Sequence, residues 1–207
     1  MPALYIYPYT PAPSWSAGEI HRFEHKTGLS LLSHGLYDCL HLSIPSSGID
    51  SQLRTDKYGK PFLAEYPAIH FNISHCDQLI VCALDSAPIG VDAEKIQSFP
   101  ESVPAKLFSD KEQQFFDQVS TSELLRQEWF VRFWTLKESY LKQTGTGLSI
   151  PMTDISFSFD CSETLCKITC SEPGVFFSQT KLESRHIISV CTKSPHGTID
   201  PVKVILS

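Results

Sequence analysis

No stretch of these 207 residues is long and charge-free enough to cross a membrane. No basic segment followed by an apolar run opens the chain, so no secretory leader is expected. Positive charge is also scarce. Seventeen lysines and arginines against 23 aspartates and glutamates leave a formal net charge of -6. That balance argues against a general nucleic-acid binder, because phosphate neutralisation dominates such binding. The seven cysteines are odd in number and lack paired metal-ligand spacing; Cys166 and Cys170 fit strand core positions better than half of a zinc site. Reduced thiols in a soluble, cytoplasmic protein are therefore expected. Low-complexity tracts are missing, and no internal repeat is visible as identity. The length suffices for a substantial core, in one domain or two small ones.

What is present concentrates in two segments about forty residues apart. In the first, Ile89, Val91 and Ala93 alternate with Gly90, Asp92 and Glu94. Strand side chains repeat with period two, so Asp92 and Glu94 project from one face, roughly 6–7 Å apart along the backbone. Carboxylates that close repel unless a cation lies between them. Magnesium suits such a pair, since it takes oxygen ligands and commonly joins one or two carboxylates to substrate phosphates. A solvated sheet edge is the plainer explanation of the strand taken alone.

In the second segment, Phe130, Phe133, Trp134, Leu136, Tyr140 and Leu141 give a broad apolar surface to a predicted helix. Ser120 and Glu123 have the spacing of a capping box at its start, and Gly145 is placed to stop it. Glu138 and Lys142, four apart, share one face with Trp134 a turn earlier. Such a pair is usually a surface ion pair worth a few tenths of a kcal/mol. Here it falls in the most aromatic part of the chain, where burying charge without a task is unfavourable.

Four motifs in order, Lys57-Tyr58-Gly59-Lys60-Pro61, His70-Phe71-Asn72-Ile73-Ser74-His75, Gly90-Val91-Asp92-Ala93-Glu94 and Phe133-Trp134-Thr135-Leu136-Lys137-Glu138-Ser139-Tyr140-Leu141-Lys142, resemble the 4'-phosphopantetheinyl transferases, in particular the long surfactin-synthetase-activating type. The resemblance runs from about Lys57 to Ser158. It implies an enzyme that moves the 4'-phosphopantetheine arm of coenzyme A to a serine of an apo acyl carrier or peptidyl carrier protein, releasing adenosine 3',5'-bisphosphate. By the same resemblance Asp92, Glu94 and Glu138 are the Mg2+ (or Mn2+) ligands, and Glu138 also takes the serine proton. Lys142 balances charge on the phosphates, with Lys137 beside it on the coenzyme side. Gly59, Lys60 and Pro61 flank the adenine. Ser74 and His75 contact coenzyme A phosphates, at a point read from the sequence as a strand end opening a turn through Cys76, Asp77 and Gln78, where free N–H groups would help hold an anion.

One stretch departs from the family pattern. Where the family carries an arginine for the 3'-phosphate, this chain has Leu29. Lys26, with Arg22 or His25, is expected to supply the charge instead.

The layout expected is α+β: two similar α+β subdomains related by a pseudo-twofold, residues 1–88 and 89–207, with the active site between them. A helix is expected near Leu29 to Leu42, and another opens at Ser109 with a second capping-box spacing to Glu112. Strands are expected at Leu4–Tyr7, His70–Ser74, Leu79–Leu84, from Pro88, and then at Ile155–Phe159, Lys167–Cys170, Phe176–Leu182, Ile187–Cys191 and Val202–Leu206. A monomer is expected. Lys106, Lys111, Arg126, Arg132, Lys137 and Lys142 offer local attraction for an acidic carrier, and the segment Gly145 to Phe176 is its expected contact. Two rivals stand beside this reading. A magnesium-dependent phosphodiesterase or nuclease would use the same acids with Lys95 close by. A degenerate carrier-binding relative would have lost a metal ligand.

Overall fold

Strand alternation and two long helices organise the chain, whose computed structural model describes residues 2–161, 166–195 and 199–204. Strand β1 (Ala3–Pro8) leads to α1 (Ala17–Leu40), a short α2 (Ser46–Gln52), and the small ribbon β2 (Leu53–Thr55) and β3 (Pro61–Leu63). Next come β4 (His70–Cys76), β5 (Leu79–Asp85) and β6 (Ile89–Lys95), then α3 (Pro104–Leu107), α4 (Asp110–Val119) and α5 (Glu123–Thr144). Strands β7 (Phe157–Cys161), β8 (Cys166–Cys170), β9 (Phe176–Leu182), β10 (His186–Thr192) and β11 (Pro201–Lys203) follow. The class is α+β, as expected.

The strands form a four-stranded sheet in the order β11-β1-β5-β4 and a three-stranded sheet in the order β6-β10-β9, besides the ribbons β2-β3 and β7-β8. The last strand returns to pair in parallel with β1. On one face of the first sheet, Leu29, Leu32 and Leu36 of α1 pack against Ile80, Cys82 and Leu84. The intervening residues Val81 and Ala83, with Leu4 and Ile6, meet Val91, Ala93, Ile188 and Val190 of the second sheet. The far face of that sheet packs Ile187 and Cys191 against Phe133, Leu136 and Tyr140 of α5. The order of layers is therefore helix, sheet, sheet, helix, with three apolar seams.

Helix ends follow capping chemistry and correct two expected boundaries. Helix α1 begins a dozen residues before Leu29, because Ser16 and Glu19 form a capping box: the Ser16 hydroxyl accepts from the Glu19 N–H at 3.3 Å, and the Glu19 carboxylate accepts from the Ser16 N–H at 2.8 Å. Helix α5 starts at Glu123 rather than at Ser120, since its cap is Ser122, which accepts from the Leu125 N–H at 3.3 Å. The stop at Gly145 is as expected, with φ of 73°. The capping box of α4, Ser109 with Glu112, is also present. Strand β4 runs past its expected end, to Cys76, and β6 begins at Ile89, one residue after the expected Pro88. Part of the expected last strand, residues 205 and 206, lies outside the described residues.

Candidate functional site

Two edge strands and one helix converge at the site. Strand β6 edges the second sheet and β4 edges the first, and they run side by side. The Asn72 side chain, through Oδ1, accepts from the Val91 N–H at 2.9 Å and ties the two edges together. Helix α5 lies on β6 at close range. A Cβ built on Gly90 would fall 2.1 Å from the Ser139 carbonyl oxygen and 2.3 Å from the Gln143 nitrogen. Only glycine allows that approach, and the approach brings Glu138 and Lys142 over Asp92 and Glu94.

Asp92, Glu94 and Glu138 lie near enough to act on one another electrostatically. Asp92 is almost wholly buried, at 3% exposure. Its Oδ1 accepts from Lys142 Nζ at 2.6 Å and from the Ser74 hydroxyl at 3.2 Å. Its Oδ2 is buried and takes no hydrogen bond among the described residues. A buried carboxylate oxygen in that condition is unfavourable. Burial pushes the Asp92 carboxyl up, with Lys142 pulling the other way. Glu94 is pushed up to about 7, first by burial and then by Asp92. Glu138 is raised for the same two reasons. Three carboxylates thus share a field that one lysine only partly neutralises.

The adjoining cleft, about 350 Å³, is lined by Tyr58, Gly59, Lys60, Pro61, Asn72 and Glu138, and by Leu141, Lys142, Gly145 and Gly147. Lys60 builds its wall by donating to the carbonyls of Ile89 at 3.0 Å and Gln143 at 2.9 Å. The second is a carbonyl in the last turn of α5, where no intrahelical donor remains. Burial holds the Lys60 ammonium down at about 8.

The other site expectations fare differently. Ser74 faces Asp92, whereas His75 points to the opposite side of β4, where its Nδ1 lies 3.2 Å from Glu24 of α1. The two do not form one anion pocket at a turn: β4 continues to Cys76, and alternation sends neighbours to opposite faces. Lys137 is no coenzyme ligand. It is fully buried in the α5 core and donates to Glu112 at 2.7 Å, Leu107 O at 2.6 Å and Met152 O at 2.9 Å. Burial lowers its pKa, and Glu112 works against that. Lys26 is exposed on α1 and does not line the cleft. Of the other bases expected to attract a carrier, Arg126 pairs with Glu101 and Arg132 with Glu128. Lys95 turns from the acids to Asp77, so the lysine that a nuclease mechanism needs is elsewhere. Asn72 and Gly90 are the site residues whose roles the sequence reading missed; both sat in the quoted motifs, and neither carries a charge to draw attention.

The family model of the 4'-phosphopantetheinyl transferase superfamily matches residues 88–191, which hold β6, α5 and all three acids. The chain belongs to that superfamily. It is 30% identical over 147 residues to the 4'-phosphopantetheinyl transferase Sfp of Bacillus subtilis (strain 168), covering 70% of this chain and 65% of that protein. It is 36% identical over 123 residues to the 4'-phosphopantetheinyl transferase gsp of Aneurinibacillus migulanus, covering 59% and 48%. A mouse (Mus musculus) L-aminoadipate-semialdehyde dehydrogenase-phosphopantetheinyl transferase is 32% identical over 181 residues, covering 76% and 57%. The matches thus cover 65% or less of each of these relatives' own lengths.

Proposed function

We propose that this chain transfers the 4'-phosphopantetheine arm of coenzyme A to a serine of an apo acyl carrier or peptidyl carrier protein, and that it does so between halves dividing near residue 88. The observation that carries the reading is the buried, unpartnered Asp92 Oδ2, with Asp92 raising the carboxyls of Glu94 and Glu138 through its charge, beside a cleft walled by Lys60 and Lys142.

An all-oxygen donor set with an orphaned carboxylate oxygen fits a hard divalent cation such as Mg2+. Asp92, Glu94 and Glu138 would hold it, and it would supply charge neutralisation on the pyrophosphate. The remaining work belongs to side chains. Glu138, on the wall of the cleft, accepts the proton of the attacking serine hydroxyl. The serine oxygen bonds to the phosphorus bearing the pantetheine arm, the bridging P–O bond breaks, and adenosine 3',5'-bisphosphate leaves. Lys142 stabilises charge on that leaving group once the bound phosphates draw it from Asp92. Tyr58, Gly59 and Pro61 offer a surface for the adenine.

The test is intact-protein mass spectrometry of a panel of apo carriers incubated with the chain, coenzyme A and magnesium. A phosphopantetheine-sized gain that EDTA abolishes, and that Glu138→Gln and Lys142→Ala each cut at least a hundredfold, is expected. No gain on any carrier would overturn the reading, and normal rates in either variant would remove the role given to that residue.

A further inference from the structure

Helix α5 and strand β6 carry between them all three acids, and what holds one on the other sets how the acids meet. One cationic tie is Lys142 to Asp92, at 2.6 Å. The reaction proposed above takes that tie apart, because the bound phosphates draw Lys142 away. Another tie spends no group that the reaction needs. Lys60 Nζ donates at once to the carbonyl of Ile89, the first residue of β6, and to that of Gln143, in the last turn of α5. The Gln143 side chain, by comparison, reaches the neighbouring Pro88 carbonyl at a long 3.4 Å.

A helix C-terminus carries partial negative charge, and α5 brings its last turns against a strand bearing two carboxylates. A cation on the last-turn carbonyls is the favourable placement. By sharing its ammonium with Ile89, Lys60 opposes the repulsion next to Gly90, where the two backbones touch. The turn that bears Lys60 is braced at its root. Asp56 Oδ1 accepts from the Tyr58 and Lys60 N–H groups at 2.8 and 3.0 Å. A Cβ on Gly145, just past α5, would fall 3.2 Å from the Lys60 stem and 3.3 Å from Asp56. The tip of the turn stays free, with Tyr58 exposed and open space beside Gly59.

We propose that Lys60 is a positioning residue whose ammonium holds α5 at the separation from β6 that lets Glu138 share a cation with Asp92 and Glu94. It supplies no ligand itself. It acts through the carbonyls at the end of the helix and the start of the strand, and its grip persists when Lys142 turns to the phosphates.

The inference rests on the reading of the three acids as cation ligands, and its test reads binding rather than turnover. Mn2+ would be titrated into the full chain and into Lys60→Met, and followed by its electron paramagnetic resonance signal. Lys60→Met removes a positive charge from the cleft that Glu138 lines, which by charge alone tightens cation binding. Loss of position works with the opposite sign, and a weakening of about tenfold is expected. In the unaltered chain the coupling also runs in reverse, so Mn2+ should slow deuterium uptake over residues 56–61, which hold none of the three acids. That second measurement decides the matter should Lys60→Met fail to fold. Unchanged or tighter Mn2+ binding in the variant, or uptake over 56–61 indifferent to Mn2+, would overturn this inference alone. No Mn2+ binding by the unaltered chain would overturn the cation reading and this inference with it.

Discussion

At the scale of single residues, the acidic cluster stores a conflict. Glu94 has an ordinary carboxyl value of 4.5 when free and about 7 in the folded chain. The folded state therefore holds a proton that the unfolded state releases, and stability is lost as pH rises from about 4.5 through about 7. Without metal, Glu94→Gln should raise Tm in EDTA at pH 8, with the gain shrinking toward pH 4.5; calorimetry across that range checks both the sign and the window. A gain in stability together with a loss of metal binding is the trade-off typical of functional positions. Lys137 makes the contrasting case. Its ammonium closes a buried network with Glu112 and two carbonyls, and removing one partner of such a pair costs about 3–5 kcal/mol. Lys137→Ala should lose that much in chemical denaturation, yet bind coenzyme A normally at temperatures where it stays folded.

At the scale of elements, everything depends on how close α5 comes to β6. Gly90→Ala would place a methyl against backbone atoms of Ser139 and Gln143 that cannot rotate aside. Overpacking of this kind costs about 1–3 kcal/mol, and more where backbone must move. The expected outcome is a Tm drop together with weakened metal binding, read by titration, because displacing the helix separates Glu138 from Asp92. The same elements show how far the sequence was legible. Period two on β6 and the four-residue spacing on α5 were enough to pair Asp92 with Glu94 and Glu138 with Lys142, since both rules are local, whereas joining the two pairs rested on the family resemblance. Lys137 was misassigned because one step along a helix turns a side chain by about 100°, and its partner Glu112 is 25 positions away. The turn expected at His75 was placed too early, because β4 continues to Cys76 and a strand that continues turns the next side chain to the other face. The ribbon β2-β3 and the helix α2 carry too little periodicity to be seen at all.

At the scale of the whole molecule, three apolar seams hold four layers, and they are not equally deep. All seven residues of β5 and all seven of β10 are buried. Ribbon β7-β8 pairs only within itself among the described residues. Amides of β5 and β10 should therefore exchange with deuterium only through global unfolding, and those of β7-β8 through far smaller openings. Native-state exchange followed by mass spectrometry would sort them, and similar rates in both would contradict the layering.

The seam between the two sheets has one further consequence. Asp92 and Glu94 are borne by a strand whose opposite face is part of that seam, while the cleft wall over residues 58–61 is surface loop and short ribbon. The acids are thus anchored on a strand backed by a buried seam, and the rim of the site stands on surface loop and short ribbon. Ligands would then enter and leave by breathing of the rim alone, with the geometry of the acids preserved from one turnover to the next.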